Sequence, residues 1–161
     1  AIVALSGTGN AVYLGLGILS SVTILVAIVA SYAFGKIIDR DRGGNLLKIG
    51  VVANALVHAF RPFSIAPISI VGINITNEIA TTGYNLAFMR GIFDTADLSG
   101  RRLVYLCATG VAATIGGIVG CLCAAASVIL FGDINGIKLF FLIAAVVVLI
   151  IGTANFNIYR K

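Results

Sequence analysis

Long runs of apolar residues alternate along the chain with short segments that carry most of its charges. A membrane-spanning helix needs about 20 predominantly apolar residues, and the apolar runs approach or exceed this length. The pattern predicts an all-α, polytopic transmembrane helix bundle with five spans in a single domain over residues 1–161. The predicted spans are residues 11–34, 46–62, 65–89, 103–131 and 138–156.

The third apolar segment differs from the others because polar side chains recur along it at helical spacing. They fall at positions i, i+3, i+4, i+7, i+8 and i+11, so a helix would present all of them on one face. A surface helix of a soluble protein can show the same stripe, so the composition of the chain must decide. The stripe consists of Asn74, Asn77, Glu78, Thr81, Thr82 and Asn85.

Composition places the chain among integral membrane proteins. Of its 161 residues, 60% are hydrophobic and 11% are charged, and the mean hydropathy is +1.10. A soluble domain carries about 25% charged residues to cover its surface. The net charge of +5 comes from basic residues between apolar segments. We therefore expect the lipid bilayer as a partner and no nucleic acid.

The basic residues are divided unequally between the two sides that five spans would define. Only Arg61 and Lys138 lie on one side. Cytoplasmic connections are enriched in Lys and Arg, so the larger group predicts an external N-terminal end and a cytoplasmic C-terminus, in the plasma or inner membrane of the cell. The larger group consists of Lys36, Arg40, Arg42, Lys48, Arg90, Arg101, Arg102, Arg160 and Lys161.

The chain begins with Ala1 and has no basic segment before its first apolar residues, unlike a secretory signal. An odd number of spans with an external start predicts a chain that is incomplete at its N-terminus. Cys107, Cys121 and Cys123 lie in one apolar segment, where thiols usually serve as small packing residues. No disulfide, metal site or cofactor is predicted.

The connection after the first span contains a glycine and, four residues later, an aspartate–arginine pair: Gly35, Asp39 and Arg40. This pattern resembles the cytoplasmic signature of the major facilitator superfamily, which joins the second and third helices of each six-helix half. The second part departs from the signature, because Arg42 stands at its usual glycine position and Gly43 at a usual basic position. An ordinary basic cytoplasmic turn would explain the loop alone equally well.

The order of the spans agrees with this resemblance. In the superfamily, the first and fourth helices of each half line the substrate cavity, and the third and sixth are peripheral. If the chain begins at the second helix, its polar third span takes a cavity-lining place and its apolar fifth span a peripheral one. The short basic C-terminal end favours the last five helices of the C-terminal half, although a truncated N-terminal half would look similar.

The resemblance implies a fragment of a secondary-active transporter and no enzymatic activity. Two halves would rock by alternating access about a midplane site for a small-molecule substrate, with proton coupling as one option. The fragment would then need the missing helices of the same transporter. The resemblance also implies a conformational gate of Gly35, Asp39, Arg40 and Arg101, in which Asp39 accepts from the free N–H groups at the start of the fourth span.

Glu78 is the strongest single candidate, because a carboxylate near the bilayer midplane is costly unless it faces a partner or a water-filled path. It would bind a proton or a cationic substrate, or its carboxyl would be held by Asn and Thr neighbours to fix helix packing. In the first case the other stripe residues would line the substrate or proton path and supply neutral hydrogen bonds to a polar substrate, though some of them would only join helices: Asn74, Asn77, Thr81, Thr82 and Asn85. On the second span, Asn54, His58 and Arg61 share one helical face. His58 would carry a proton near neutral pH, or would lie near the outer interface, bonded to a neighbour or water.

The fourth span carries a small residue at every fourth position. Such residues let helix backbones approach closely in a membrane. The pattern predicts packing against another helix of the same bundle, centred on Ala112, Gly116 and Gly120, with a dimerisation motif as the alternative. The full ladder is Ala108, Ala112, Gly116, Gly120 and Ala124.

Two further functional classes remain open. The chain could be a structural or assembly subunit of a membrane complex, with the polar stripe packed on a partner. A membrane-embedded lipid-modifying enzyme would need several carboxylates on adjoining helices to hold a metal. The available carboxylates are predicted in loops, which makes this class less suitable: Asp39, Asp41, Asp94 and Asp97.

Overall fold

The computed structural model describes residues 9–64 and 67–159, and the regular structure in these ranges is helical with no strand. A π-helical turn (Ile38–Arg42) follows the first long helix, and 3₁₀ turns (Arg61–Phe63 and Asn157–Tyr159) follow the second and the fifth. The predicted all-α bundle is confirmed. The long helices are α1 (Gly9–Ile37), α2 (Gly43–Phe60), α3 (Pro67–Leu98), α4 (Arg102–Phe131) and α5 (Asp133–Ile151).

Four helical stretches are long and apolar enough to cross a membrane, within the ranges the structure describes. Their large apolar side chains point outward, as Leu103 at 77% and Ile129 at 81% exposure illustrate. An exposed apolar surface of this extent is unfavourable in water and ordinary in hydrocarbon. The structure therefore indicates a membrane-embedded protein. The four stretches are Gly17–Arg40, Gly43–Phe63, Arg102–Phe131 and Asp133–Ile151.

Helix α3 is not among these four stretches, because its polar stripe lowers its apolar content. It packs against α1, α2 and α4, so three neighbours screen much of its surface. Polar side chains on a membrane helix are tolerated where they face the interior of the bundle. A membrane crossing by α3 remains a prediction.

The contacts between helices form a ring with one helix outside it. Helix α2 packs on α3, α3 on α4, α4 on α5 and α5 on α2, while α1 packs on the other side of α3. The pairing of α2 with α5 is antiparallel, with Val51 against Gly152 near one end and Arg61 against Phe141 near the other. Polar side chains on the inner faces of α2 and α3 are thereby brought together.

Because successive helices run in opposite directions, the described members of the larger basic group lie together at one end of the bundle. Arg61 and Lys138 lie at the opposite end, where α2 finishes and α5 begins. Arg160 and Lys161 lie outside the described residues. The charge separation on which the predicted orientation depends is therefore a feature of the folded chain, whereas the orientation itself stays a prediction.

The crossing of α2 and α3 depends on a glycine. A Cβ at Gly50 would lie 2.8 Å from the backbone nitrogen of Tyr84 and 3.2 Å from the carbonyl oxygen of Ala80. Backbone atoms cannot move aside as a flexible side chain can. The apolar core lies at the same level and consists of Leu46, Leu47, Val51 and Ala87, with side chains of α1, α3 and α5 packed around it.

Helix α3 continues beyond the predicted end of the third span at residue 89. Its 32 residues give a length of about 48 Å, compared with about 30 Å for a hydrocarbon core. Asp94 and Asp97, which were predicted in a loop, belong to its last turns. Asp97 forms an ion pair of 3.2 Å with Arg102, in which both side chains are exposed. The turn between α3 and α4 ends at Gly100, whose φ of 68° suits glycine.

Helix α5 begins and ends earlier than the predicted fifth span of 138–156. It ends at Ile151, because Gly152 and the polar residues after it are poor helix formers. The tail then folds back under the bundle. The Phe156 ring packs edge-on against Phe88, with 5.4 Å between centroids, and Tyr159 Oη donates a hydrogen bond of 2.8 Å to the carbonyl oxygen of Ala87. The tail therefore joins the end of α5 to α3.

Replacement of Gly50 by Ala is expected to destabilise the protein by about 1–2 kcal/mol, since overpacking against a fixed backbone outweighs the gain in helix propensity. Gly117→Ala on α4 is the matched control, because a Cβ there meets no atom within 4 Å. Denaturant unfolding in detergent micelles measures both. Equal stability of the two variants would contradict the close crossing.

Replacement of Tyr159 by Phe is expected to cost about 1 kcal/mol at neutral pH through loss of the bond to Ala87. Burial raises the pKa of Tyr159 above its usual value, while Arg90 lowers it and Asp94 raises it further. A raised pKa means that this contribution is complete below pH about 10 and is lost as the pH rises through the folded-state value. The stability difference between wild type and variant should therefore shrink only in alkaline solution. A difference that grows there would show that the bond is not the cause.

Candidate functional site

The polar stripe of α3 divides into two groups in the structure. Asn74, Asn77 and Thr81 accept hydrogen bonds from side chains of α2 and the turn after it, and we call them the bonded group. In the described part of the chain, the remaining three make no side-chain hydrogen bond and no ion pair. We call these the open group: Glu78, Thr82 and Asn85.

The bonded group is organised by Asn54, a residue of α2 that is 1% exposed. Its Nδ2 donates a hydrogen bond of 2.9 Å to Thr81 Oγ1 and one of 3.2 Å to Asn77 Oδ1. Hydrogen bonds between membrane helices contribute about 0.6 kcal/mol on average. The Oδ1 of Asn54 is buried and has no partner among the described residues. One amide thus fixes the register of α2 against α3.

A second contact of the bonded group involves Arg61 at the end of α2. Arg61 Nη2 donates a hydrogen bond of 2.6 Å to Asn74 Oδ1, and its guanidinium lies 5.1 Å from the centroid of the Phe141 ring. The imidazole of His58 stacks on the same ring, with 6.1 Å between centroids and 17° between planes. His58, predicted as a proton carrier or an interfacial residue, therefore lies half-buried between α2 and α5.

The open group lies on the side of α3 that turns away from Asn54. Glu78 follows Asn77 by one residue, which rotates its side chain by about 100° around the helix. Asn85 follows Glu78 by seven residues and shares its face. Glu78 and Thr82 are half-buried, whereas Asn85 is exposed. The open group is therefore directed toward the α4 side of α3, away from the contact with α2.

Asn85 lies at the edge of an apolar groove between α3 and α4. The groove has a volume of about 670 Å³, within the range of about 300–1,000 Å³ typical of ligand sites. Its α3 wall includes Phe88 and Met89, and its α4 wall includes Leu106, Thr109 and Ala112. The two helices are joined by a short turn but separate along this stretch. A space for an apolar or amphipathic molecule thus borders the open group.

The small-residue ladder of α4 does not meet another helix closely within the described chain, so its role in packing stays a prediction. A Cβ on Gly116 or Gly120 would meet no atom within 4 Å, and residues 111–119 are exposed. Ala112 lines the groove. The close contact of α4 is at its other end, where Gly136 of α5 lies against the backbone of Ser127.

The predicted gate residues are not joined in the structure. Asp39 and Arg40 are exposed in the π-helical turn after α1, and Gly35 has open space beside it. No ion pair or side-chain hydrogen bond links Asp39 to the start of α4, where Arg101 donates its backbone N–H to Ser99 Oγ at 3.2 Å. A gate at this position stays a prediction from the resemblance.

Metal-ligating side chains do not gather into a cluster of three or more within residues 9–64 and 67–159. The aromatic contacts of Phe141, Phe156 and Tyr159 were not predicted. An aromatic pair in the otherwise polar C-terminal tail was a signal for the tail contacts. The sequence contains no signal for the contacts of Phe141, because this residue stands in an apolar run of similar residues.

A double-mutant cycle of Asn54→Ala and Thr81→Ala is expected to give a coupling of roughly 0.6 kcal/mol and at most about 1.7 kcal/mol. The two side chains share one hydrogen bond, so the second substitution should cost less once the first has been made. A cycle of Asn54→Ala with Thr82→Ala is the control, since Thr82 belongs to the open group. Unfolding in detergent micelles measures both cycles. Equal coupling in the two cycles would refute the division of the stripe.

In comparisons with known proteins, no family model, curated protein or solved structure matches the chain. The resemblance of residues 35–47 to the major facilitator superfamily is therefore carried by the sequence alone. The function must be inferred from the side chains and the geometry described above.

Proposed function

We propose that this chain is part of a secondary-active transporter of a small solute and that the open group of α3 belongs to its solute or proton path. The observation that carries the proposal is Glu78, a half-buried carboxyl group with no hydrogen-bond or ion-pair partner among the described residues. Ionisable residues inside a membrane bundle are costly and usually mark such paths. In this proposal α3 crosses the membrane in addition to the four apolar stretches, which gives five crossings.

The two faces of α3 support a division of roles. On one face, Asn54 and Arg61 hold the bonded group against α2 and keep the helix in register. On the other face, Glu78 can exchange a proton or contact a cationic group, and Thr82 and Asn85 can hydrogen-bond to a polar solute. The adjoining groove would accommodate the apolar part of that solute. Movement of α4 relative to α3 would open or shield this face, in the manner of alternating access.

The resemblance to the major facilitator superfamily adds the remaining parts of the proposal. The chain would form the last five helices of a C-terminal half, with its basic end in the cytoplasm of a cell whose plasma or inner membrane it occupies. The missing helices of the same transporter would complete the path. The charge separation between the two ends of the bundle supports this orientation.

A structural subunit is the second candidate, and the bonded group is the observation that favours it. Three of the stripe residues already serve helix packing, as a protein without a transport cycle would require. The two candidates differ in the surroundings of the open group. A solute path is wet in at least one state, whereas a packing face is covered by protein or lipid.

Cysteine accessibility in the full-length protein tests the proposal. Single cysteines at positions 78, 82 and 85 should react with a water-soluble thiol reagent, because a transport path admits water. Cysteines at 77, 80 and 87 should be protected, since Asn77 is bonded to α2 and Ala80 and Ala87 are 6% and 0% exposed. The exposed Cys107, Cys121 and Cys123 must first be replaced by Ser.

The matched pair of positions 82 and 80 separates the candidates. Labelling of a cysteine at position 82 with protection at position 80 supports a path on the α4 side, provided that the transported solute slows the labelling at 82. Protection at 78, 82 and 85 in every condition would favour the structural subunit.

A further inference from the structure

We propose that the end of the bundle around Arg61 binds an oxyanion, either a carboxylate or a phosphate. The site consists of Arg61, His58 and Ser64 from α2 and the turn after it, Asn74 from α3 and Phe141 from α5. We call it the Arg61 site. It does not include the open group, so it does not rest on the proposed transport function.

The charge of Arg61 is not balanced by a carboxylate in the described ranges. Its guanidinium keeps its proton at any physiological pH and presents five N–H donors. One of these donors bonds Asn74 Oδ1, and no carboxylate is within ion-pair distance. Glu78 lies one turn beyond Asn74 on α3 and is not paired with Arg61. A half-buried cation in a low-dielectric setting favours an anionic partner.

The groups around Arg61 add donors to the site. Asn74 uses its oxygen to accept from Arg61, which leaves its Nδ2 group to donate. Ser64 Oγ and His58 Nδ1 are both buried and have no hydrogen-bond partner among the described residues. Leaving a buried polar atom unpaired costs about 1–3 kcal/mol, so each favours a hydrogen-bonding ligand. Ser64 Oγ can donate to it, and His58 Nδ1 can donate in the tautomer that carries its proton there. These unpaired polar groups and the Arg61 guanidinium lie at the same end of the bundle.

Phe141 orients the charged group of the site. Its ring lies 5.1 Å from the guanidinium carbon of Arg61 and stacks on the His58 imidazole. A guanidinium beside an aromatic ring keeps its planar fork of N–H donors. That geometry suits two parallel hydrogen bonds to a carboxylate or a phosphate. A basic residue that only marks the membrane interface has no need of contact with an aromatic ring. Lys138, at the same end of the bundle, is exposed.

The oxyanion has two possible sources, a free solute or the headgroup of an anionic lipid. Thermal unfolding of the purified full chain in phosphatidylcholine nanodiscs tests the first. Inorganic phosphate and acetate are titrated at constant ionic strength against sodium chloride. A ligand that binds the folded state raises the unfolding temperature in a saturable manner. The second source is tested in nanodiscs that contain phosphatidylglycerol, without added anion.

The variants identify the site. Arg61→Gln should weaken binding at least tenfold, and Arg61→Lys should weaken it several-fold, because Lys keeps the charge but loses the planar fork. Lys138→Gln is the matched control, since it removes a positive charge from the same end and should leave binding within twofold. If Arg61→Gln does not fold, the Lys variant decides the test.

Each outcome bears on the proposal. Saturable stabilisation by phosphate or acetate that depends on Arg61 identifies a site for a free anion. Stabilisation only by phosphatidylglycerol, with the same dependence, identifies a headgroup site. No stabilisation by any of these probes, or equal effects in wild type and both Arg61 variants, would overturn it.

Discussion

The contact between α2 and α3 depends on the need of a buried amide for hydrogen-bond partners. Asn54 is almost fully enclosed and donates to both Asn77 and Thr81 across the helix pair. If α3 crosses the membrane as proposed, separating the helices would leave all three side chains without water as a substitute. Each of the two hydrogen bonds contributes little to stability, but a shift of register along the helices would break both of them. This pairing sets the register of α3 against α2.

Packing in the bundle is uneven around α3. On the α2 side, Gly50 brings the backbones into contact and the apolar core lies beside it. On the α4 side, a groove separates the helices, and the glycines of α4 have open space around them. A helix that is fixed along one face and bordered by a groove on another can change its surroundings at the groove without losing its own register. The stripe accordingly carries one group that bonds to α2 and the turn after it and one group that does not.

The sequence was sufficient to predict the helices but not the partners of their polar faces. Apolar runs and the glycine or proline residues between them located all five helices, because hydrophobic length and turn chemistry are local properties. The continuation of α3 past Met89 was not predicted, because charged residues after an apolar span usually belong to a loop outside the membrane. The split of the stripe was missed because Asn54 is 23 residues from Asn77 in the chain. The ladder on α4 stays a prediction of close packing, because a pattern on one helix does not identify the helix that faces it.

The order of α2 and α3 along the chain has a consequence for the assembly of the protein. Insertion into a membrane disfavours polar segments, and α3 with its stripe is the least suited of the five to enter alone. Asn54 is synthesised before Asn77 and Thr81, so their partner is already present when α3 leaves the ribosome. We therefore expect α2 and α3 to enter the bilayer together as a helical hairpin. A substitution at Asn54 would then reduce the yield of inserted protein in the cell as well as its stability after purification.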